Sequence, residues 1–136
     1  MRFAATLPRA TEADLGALFV ERVPYVLPHV RVYRRNILDV KAQRPNGSWF
    51  RAVAGVPGQG DYYCLAQGGL HVEIETKAAT GRMREAQLAW RAHCLRFEIP
   101  HLVLRAARQE SPDATVTRWI DELRKCLARK VHPWQP

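Results

Sequence analysis

The chain is short of cysteine, of acidic residues and of long apolar runs, and each shortage removes a class of protein. Cys64, Cys94 and Cys126 are odd in number, lie about thirty residues apart and form no C-x-x-C, so neither a disulfide framework nor a zinc knuckle is written here. That usage fits a reducing compartment. No apolar run approaches the ~18 residues that a bilayer-crossing helix needs, and the stretch before Pro8 is too short for the hydrophobic region of a secretory signal. The expectation is a cytoplasmic chain with no membrane span. There is no internal repeat and no low-complexity segment, and 136 residues suit one domain with a single core, about residues 11–128. What is present in excess is positive charge: 21 Lys and Arg against 13 Asp and Glu give +8. The uncompensated field points to a polyanionic partner. Lysine stands only at positions 41, 77, 125 and 130, so most of the charge is guanidinium, which fits a GC-rich genome and is also the better phosphate fork.

Thr11-Glu12-Ala13-Asp14 reads as a capping box, and Leu15, Leu18 and Phe19 follow at helical spacing. The pattern predicts a helix over 11–22, stopped by Pro24. His29 to Arg34 alternates as a half-buried strand with Val30 and Val32 inward, and the turn at Arg44-Pro45-Asn46-Gly47-Ser48 lets Ile37–Lys41 pair with Trp49–Val53 as a hairpin. After the loop Gly55–Gly60, strands over 61–66 and 70–77 flank a tight turn at Gly68-Gly69. Gly81 to Phe97 has no proline and carries Met83, Ala86, Trp90, Cys94 and Phe97 on one stripe, which predicts the main core helix. A buried strand at His101–Leu104 and a last helix opened by Ser111-Pro112 follow, the helix with Val116, Trp119, Ile120, Leu123 and Leu127 inward. The tail from His132 is expected to be loosely held. This order argues an α/β domain with a mixed central sheet flanked by helices.

In the segment 71–77 a period of two puts Val72, Ile74 and Thr76 on one face and His71, Glu73, Glu75 and Lys77 on the other. One reading is a strand whose second face is solvated and joined by a salt bridge. The other turns on Asp61, which opens the preceding strand and lies near Glu75 if the two strands form a hairpin. Two carboxylates beside a lysine make a hard-oxygen site for Mg²⁺, with Mn²⁺ as a substitute, next to a cation able to orient an attacking hydroxide. Gln87 reads as a polar residue at the edge of a buried helical face. Basic residues gather at Arg31, Arg34, Arg35, Lys41, Arg44 and Arg51 and again in the last helix at Arg118, Arg124, Lys125, Arg129 and Lys130. Arg82 and Arg84 lie close in sequence to the carboxylates. Such residues give phosphate affinity without base specificity, and Trp49 with Tyr62-Tyr63 offers rings for unpaired bases, although at least one tyrosine is expected in the core.

The loop Gly55-Val56-Pro57-Gly58-Gln59-Gly60-Asp61, the triplet Glu75-Thr76-Lys77 and Gln87 in the next helix resemble the virus-type replication-repair nuclease domain (VRR-NUC). That family is a branch of the PD-(D/E)xK nucleases, and the similarity runs from about Thr11 to Leu123. The resemblance implies a restriction-endonuclease-like fold and a metal held by Asp61, Glu75 and the Thr76 carbonyl, with Lys77 on the water and Gln87 near the reaction. It implies an acidic residue from the first helix, Glu12 with Glu21 as its competitor, while the gathered basic residues, Arg34, Arg35, Arg82 and Arg84 among them, are expected to contact the nucleic acid. One departure is visible, because Gly60 stands where the family usually has proline. The expected activity is Mg²⁺- or Mn²⁺-dependent hydrolysis of DNA phosphodiesters, with water attacking phosphorus and the 3′ oxygen as the leaving group. Small members of the family resemble homodimers that cut branched DNA such as four-way (Holliday) junctions, in a bacterial or phage-infected cell. The alternative is a nucleic-acid-binding protein that keeps the fold and does not cleave.

Overall fold

A computed structural model describes residues 9–36 and 38–129; Ile37, Lys130, the N-terminal stretch and the expected loose tail lie outside the described residues. Helix α1 (Glu12–Val26) opens on the expected capping box, with the Asp14 N–H donating to Thr11 Oγ1 at 3.1 Å and the Thr11 N–H to Asp14 Oδ2 at 2.9 Å. It does not stop before Pro24 but runs through it to Val26. A proline forfeits one helical hydrogen bond, yet Val23 is fully buried and accepts from the Leu27 N–H at 2.7 Å, so packing and one backbone bond hold the last turn.

Strands β1 (Val30–Arg34), β4 (Tyr62–Ala66), β5 (Leu70–Lys77) and β6 (His101–Arg105) form a mixed four-stranded sheet in the order β1-β4-β5-β6, while β2 (Leu38–Gln43) and β3 (Trp49–Ala54) form a separate two-stranded sheet. The β4–β5 turn needs glycine, because Gly68 and Gly69 have φ of 83° and 73°. β1–β4 and β4–β5 are antiparallel, and β5–β6 is parallel, joined by a crossover through helix α2 (Glu85–Arg96). The core lies where α1 and α3 (Pro112–Arg129) pack on one face of the sheet. Phe19, Val72, Ile74, Leu104, Val116, Trp119 and Leu123 fill it, with Phe19 edge-on to Trp119 at 6.0 Å and Trp119 Nε1 donating to the Arg105 carbonyl at 3.1 Å. Val30 and Val32 point inward as expected, and Leu127 packs at the margin. The result is a mixed α/β fold whose four-stranded sheet is flanked by helices.

The sequence misassigns the central helix. Residues 81–84 are not helical, and α2 buries only Cys94, leaving Leu88, Leu95 and Phe97 52%, 57% and 64% exposed. Its apolar residues are scattered around the helix, and the sheet face it covers carries Glu73, Glu75 and Lys77, so the contact asks for polar partners.

Nor is that second face of β5 solvated. Val72 through Lys77 are all buried. Glu73 is held by a fork from Arg35, with Nη1 at 2.7 Å from Oε2 and Nη2 at 3.0 Å from Oε1. Removing one partner of a buried pair strands the other charge. Arg35→Ala is expected to lower unfolding free energy by about 3–5 kcal/mol in urea titrations, whereas a loss under about 1 kcal/mol would show the pair to behave as a surface bridge.

Candidate metal centre at the end of β5

The site begins with strand register. Tyr62 pairs with Ile74, which sets Asp61 opposite the Glu75–Thr76 step. The Thr76 N–H donates to Asp61 Oδ2 at 3.2 Å, and the Thr76 hydroxyl lies 3.1 Å from the same oxygen and 3.2 Å from Glu12 Oε1. The hydroxyl has one proton, so it serves one carboxylate at a time. Glu12 Oε2 accepts from the Ala78 N–H at 3.2 Å, which ties the first turn of α1 to the end of β5. Glu21, its competitor, is exposed elsewhere on α1.

Gln87 joins the other half. Its Nε2 donates to Glu75 Oε1 at 2.6 Å, while its Oε1 accepts from Lys77 Nζ and from the Arg84 N–H, both at 2.8 Å. One amide therefore fixes the carboxylate, the ammonium and the start of α2. Lys77 Nζ stands 3.6 Å from Glu75 Oε1. Glu75 is 1% exposed, and its Oε2 is buried with no hydrogen-bond partner among the described residues. Burial above all, then the Asp61 charge, pushes the Glu75 carboxyl up to about 8, against the pull of Lys77.

The loop before Asp61 is clamped by close approaches. A Cβ at Gly58, where φ is +84°, would fall 2.1 Å from the Ala86 carbonyl oxygen, and one at Gly60 would fall 2.6 Å from that of Ile74. Gly60 is thus required by the backbone of β5.

A cleft of about 520 Å³ opens beside these groups, lined by Glu12, Arg34, Asn36, Asp61 and Thr76 among others. Asn36 escaped the sequence reading; its only signal is its place after Arg34-Arg35. Arg34 is exposed on the cleft wall, and Arg82 and Arg84 are exposed ahead of α2. Arg35 lines the cleft too, but its guanidinium is engaged by Glu73 and by the Gly60 carbonyl at 3.2 Å. On α3 much of the positive charge is answered locally: Arg118 pairs with Glu110 and Glu122, and Arg124 and Lys125 pair with Asp121. Of the adjacent tyrosines, Tyr62 is buried in the core, whereas Tyr63 stacks between Tyr33 and His71.

Among the described residues no three His, Cys, Asp or Glu side chains form a ready-made cation cage. Carboxylates without a cation repel, and a buried one lowers its energy by keeping its proton. The donor set nonetheless fits a hard divalent ion: Asp61, Glu75 and Glu12 supply oxygens only, and Glu75 Oε2 has unfilled acceptor capacity. Thr76, read from the sequence for its carbonyl, contributes its N–H and hydroxyl as the groups that orient Asp61 and Glu12. Neither the known protein families nor the curated proteins contain a match to this chain. The chemistry of the site therefore carries the functional reading.

Because the folded chain holds the Glu75 proton more tightly than the unfolded chain, whose glutamate titrates near 4.5, stability contributed by this group falls as pH rises from there to about 8. In EDTA, Glu75→Gln should unfold with the wild type near about pH 5 and at a higher temperature near about pH 8. Equal melting temperatures at both pH values would refute the burial of an ionisable carboxyl here.

Proposed function

We propose that the chain is a Mg²⁺- or Mn²⁺-dependent endodeoxyribonuclease with a restriction-endonuclease-like fold, acting on branched DNA. The observation that carries this reading is that Glu12 and Asp61 meet at Thr76 while the adjacent Glu75, close enough to feel the Asp61 charge, is held by Lys77 and Gln87. Asp61, Glu75 and Glu12 would hold the cation. Bound there, it would neutralise charge on the scissile phosphate and lower the pKa of a water molecule.

The remaining work falls to the chain. Thr76 keeps Asp61 and Glu12 turned to the cleft, and Gln87 holds Lys77 against Glu75 so that its ammonium orients and stabilises the attacking hydroxide. Arg34 on the cleft wall, with Arg82 and Arg84 ahead of α2, would bind flanking phosphates. The exposed Leu88 and Leu95, one face of α2 at a spacing of two turns, support a second copy as the partner. A homodimer with paired sites suits the two symmetric cuts of a four-way junction.

Cleavage of labelled single strand, duplex, flap and four-way junction with Mg²⁺, Mn²⁺ or EDTA tests the reading. Symmetric metal-dependent cutting of the junction is expected. Lys77→Ala should slow it by about 100-fold or more, and Asp61→Ala should abolish it while keeping or tightening DNA binding. Binding without cutting under every condition would make the protein a non-cleaving nucleic-acid-binding module. For the dimer, light scattering should give twice the chain mass, falling to the chain mass in Leu88→Lys/Leu95→Lys; a monomeric wild type would refute it.

A further inference from the structure

The β2–β3 hairpin has no role in the centre described above, yet it is inserted at its rim. β1 ends at Arg34, Asn36 lines the cleft, and β2 begins at Leu38; β3 ends at Ala54 and the clamped loop returns the chain to Asp61. The hairpin forms a sheet of its own, and a lone two-stranded ribbon is marginal in water without something to pack on.

Its composition says what that is. In residues 38–54 Asp39 is the one acidic residue, against Lys41, Arg44 and Arg51. The pairing Gln43↔Trp49 and Lys41↔Arg51, with its period of two, puts these four residues on one face. Trp49 is 58% exposed, with Lys41 Nζ 5.5 Å from its ring centre. Arg44 lies 4.6 Å from the ring centre of Phe50. A cleft of about 410 Å³ is lined by Lys41, Trp49, Phe50 and Arg51. An open indole beside cations is the combination that stacks on bases while neighbouring charges hold the phosphates. An apolar protein partner would desolvate the Lys41 ammonium that stands over the Trp49 ring.

We propose that this hairpin is a second DNA contact, an arm whose Trp49 stacks on unpaired bases next to the cleft, with Lys41 and Arg51 on the adjoining phosphates. The inference rests on the nuclease reading for the identity of the nucleic acid and deepens it: the preferred branched DNA presents bases unpaired at the branch point, next to the duplex that is cut. Binding is separable from cutting, because stacking needs no metal.

The test is fluorescence anisotropy in EDTA with a labelled oligothymidylate strand and a labelled blunt duplex. Trp49→Ala should weaken single-strand binding about tenfold and duplex binding by less than about twofold, while Trp49→Phe retains most of the single-strand affinity. Lys41→Gln should flatten the salt dependence of single-strand binding. Thermal melts of each variant against the wild type establish that the fold is kept. The inference is overturned if Trp49→Ala binds the single strand as the wild type does, if both DNAs weaken equally, or if the wild type binds no single strand. It is likewise overturned if the variant changes the mass in light scattering instead, which would make the hairpin a protein contact. Absence of cleavage by the wild type, with single-strand binding that still weakens in Trp49→Ala, would sink the nuclease reading and leave the arm standing.

Discussion

Glu75 and Lys77 stand on a strand covered on both faces, and the side-chain amide of Gln87 is what lets them remain there. A buried carboxylate and a buried ammonium each lose hydration, and their mutual attraction repays that loss only when their other hydrogen-bonding sites are filled. Gln87 fills one site on each, accepting from Lys77 and donating to Glu75, and uses the same oxygen to bond the Arg84 N–H at the head of α2. The placement of α2, the rotamer of the lysine and the protonation of the glutamate are thereby coupled through one group. What Gln87 leaves undone is the second oxygen of Glu75, which is buried close to the Asp61 carboxylate.

The same sheet face explains why α2 is unlike the other two helices. α1 and α3 meet Val72, Ile74 and Leu104 and bury large apolar side chains, Phe19 and Trp119 among them. α2 meets Glu73, Glu75 and Lys77, so its inward residues are Gln87 and Cys94, and its leucines are left outside. The helix is thereby held by polar contacts at the site, with Leu88 and Leu95 exposed on its outer side. Arg35 performs the companion task at Glu73, where its fork removes a second buried charge and pins the residue before the cleft.

Positive charge is distributed with a similar division of labour. On α3 the basic residues are largely matched by Glu110, Asp121 and Glu122, and they stabilise the helix more than they extend a field. At the cleft Arg34 stands in solvent, and on the β2–β3 hairpin Lys41 and Arg44 stand beside rings. The +8 of the chain is thus read best at the edge of the sheet where β1 ends and β4 begins.

Much of this was legible in the chain itself. The capping box at Thr11, the alternation from Val30 to Arg34, the paired glycines at 68 and 69 and the Ser111-Pro112 start of α3 are local signals, and local hydrogen bonding and sterics suffice to decode them. The period of two along 71–77 assigned Glu75 and Lys77 to one face and Thr76 to the other. Three things were out of reach. Pro24 reads as a stop, and only the burial of Val23 reveals that packing outweighs one lost bond. The stripe from Met83 to Phe97 reads as a core face, because a helix's sequence does not disclose whether the surface awaiting it is apolar. Glu73 reads as solvated because its partner, Arg35, is remote in sequence. The sequence by itself determined which residues form elements and which carry charge, since those depend on neighbours a few positions away. Only the tertiary structure decided that Glu12, Asp61, Thr76, Glu75, Lys77 and Gln87 meet, because burial and pairing between remote segments are properties of the packed chain.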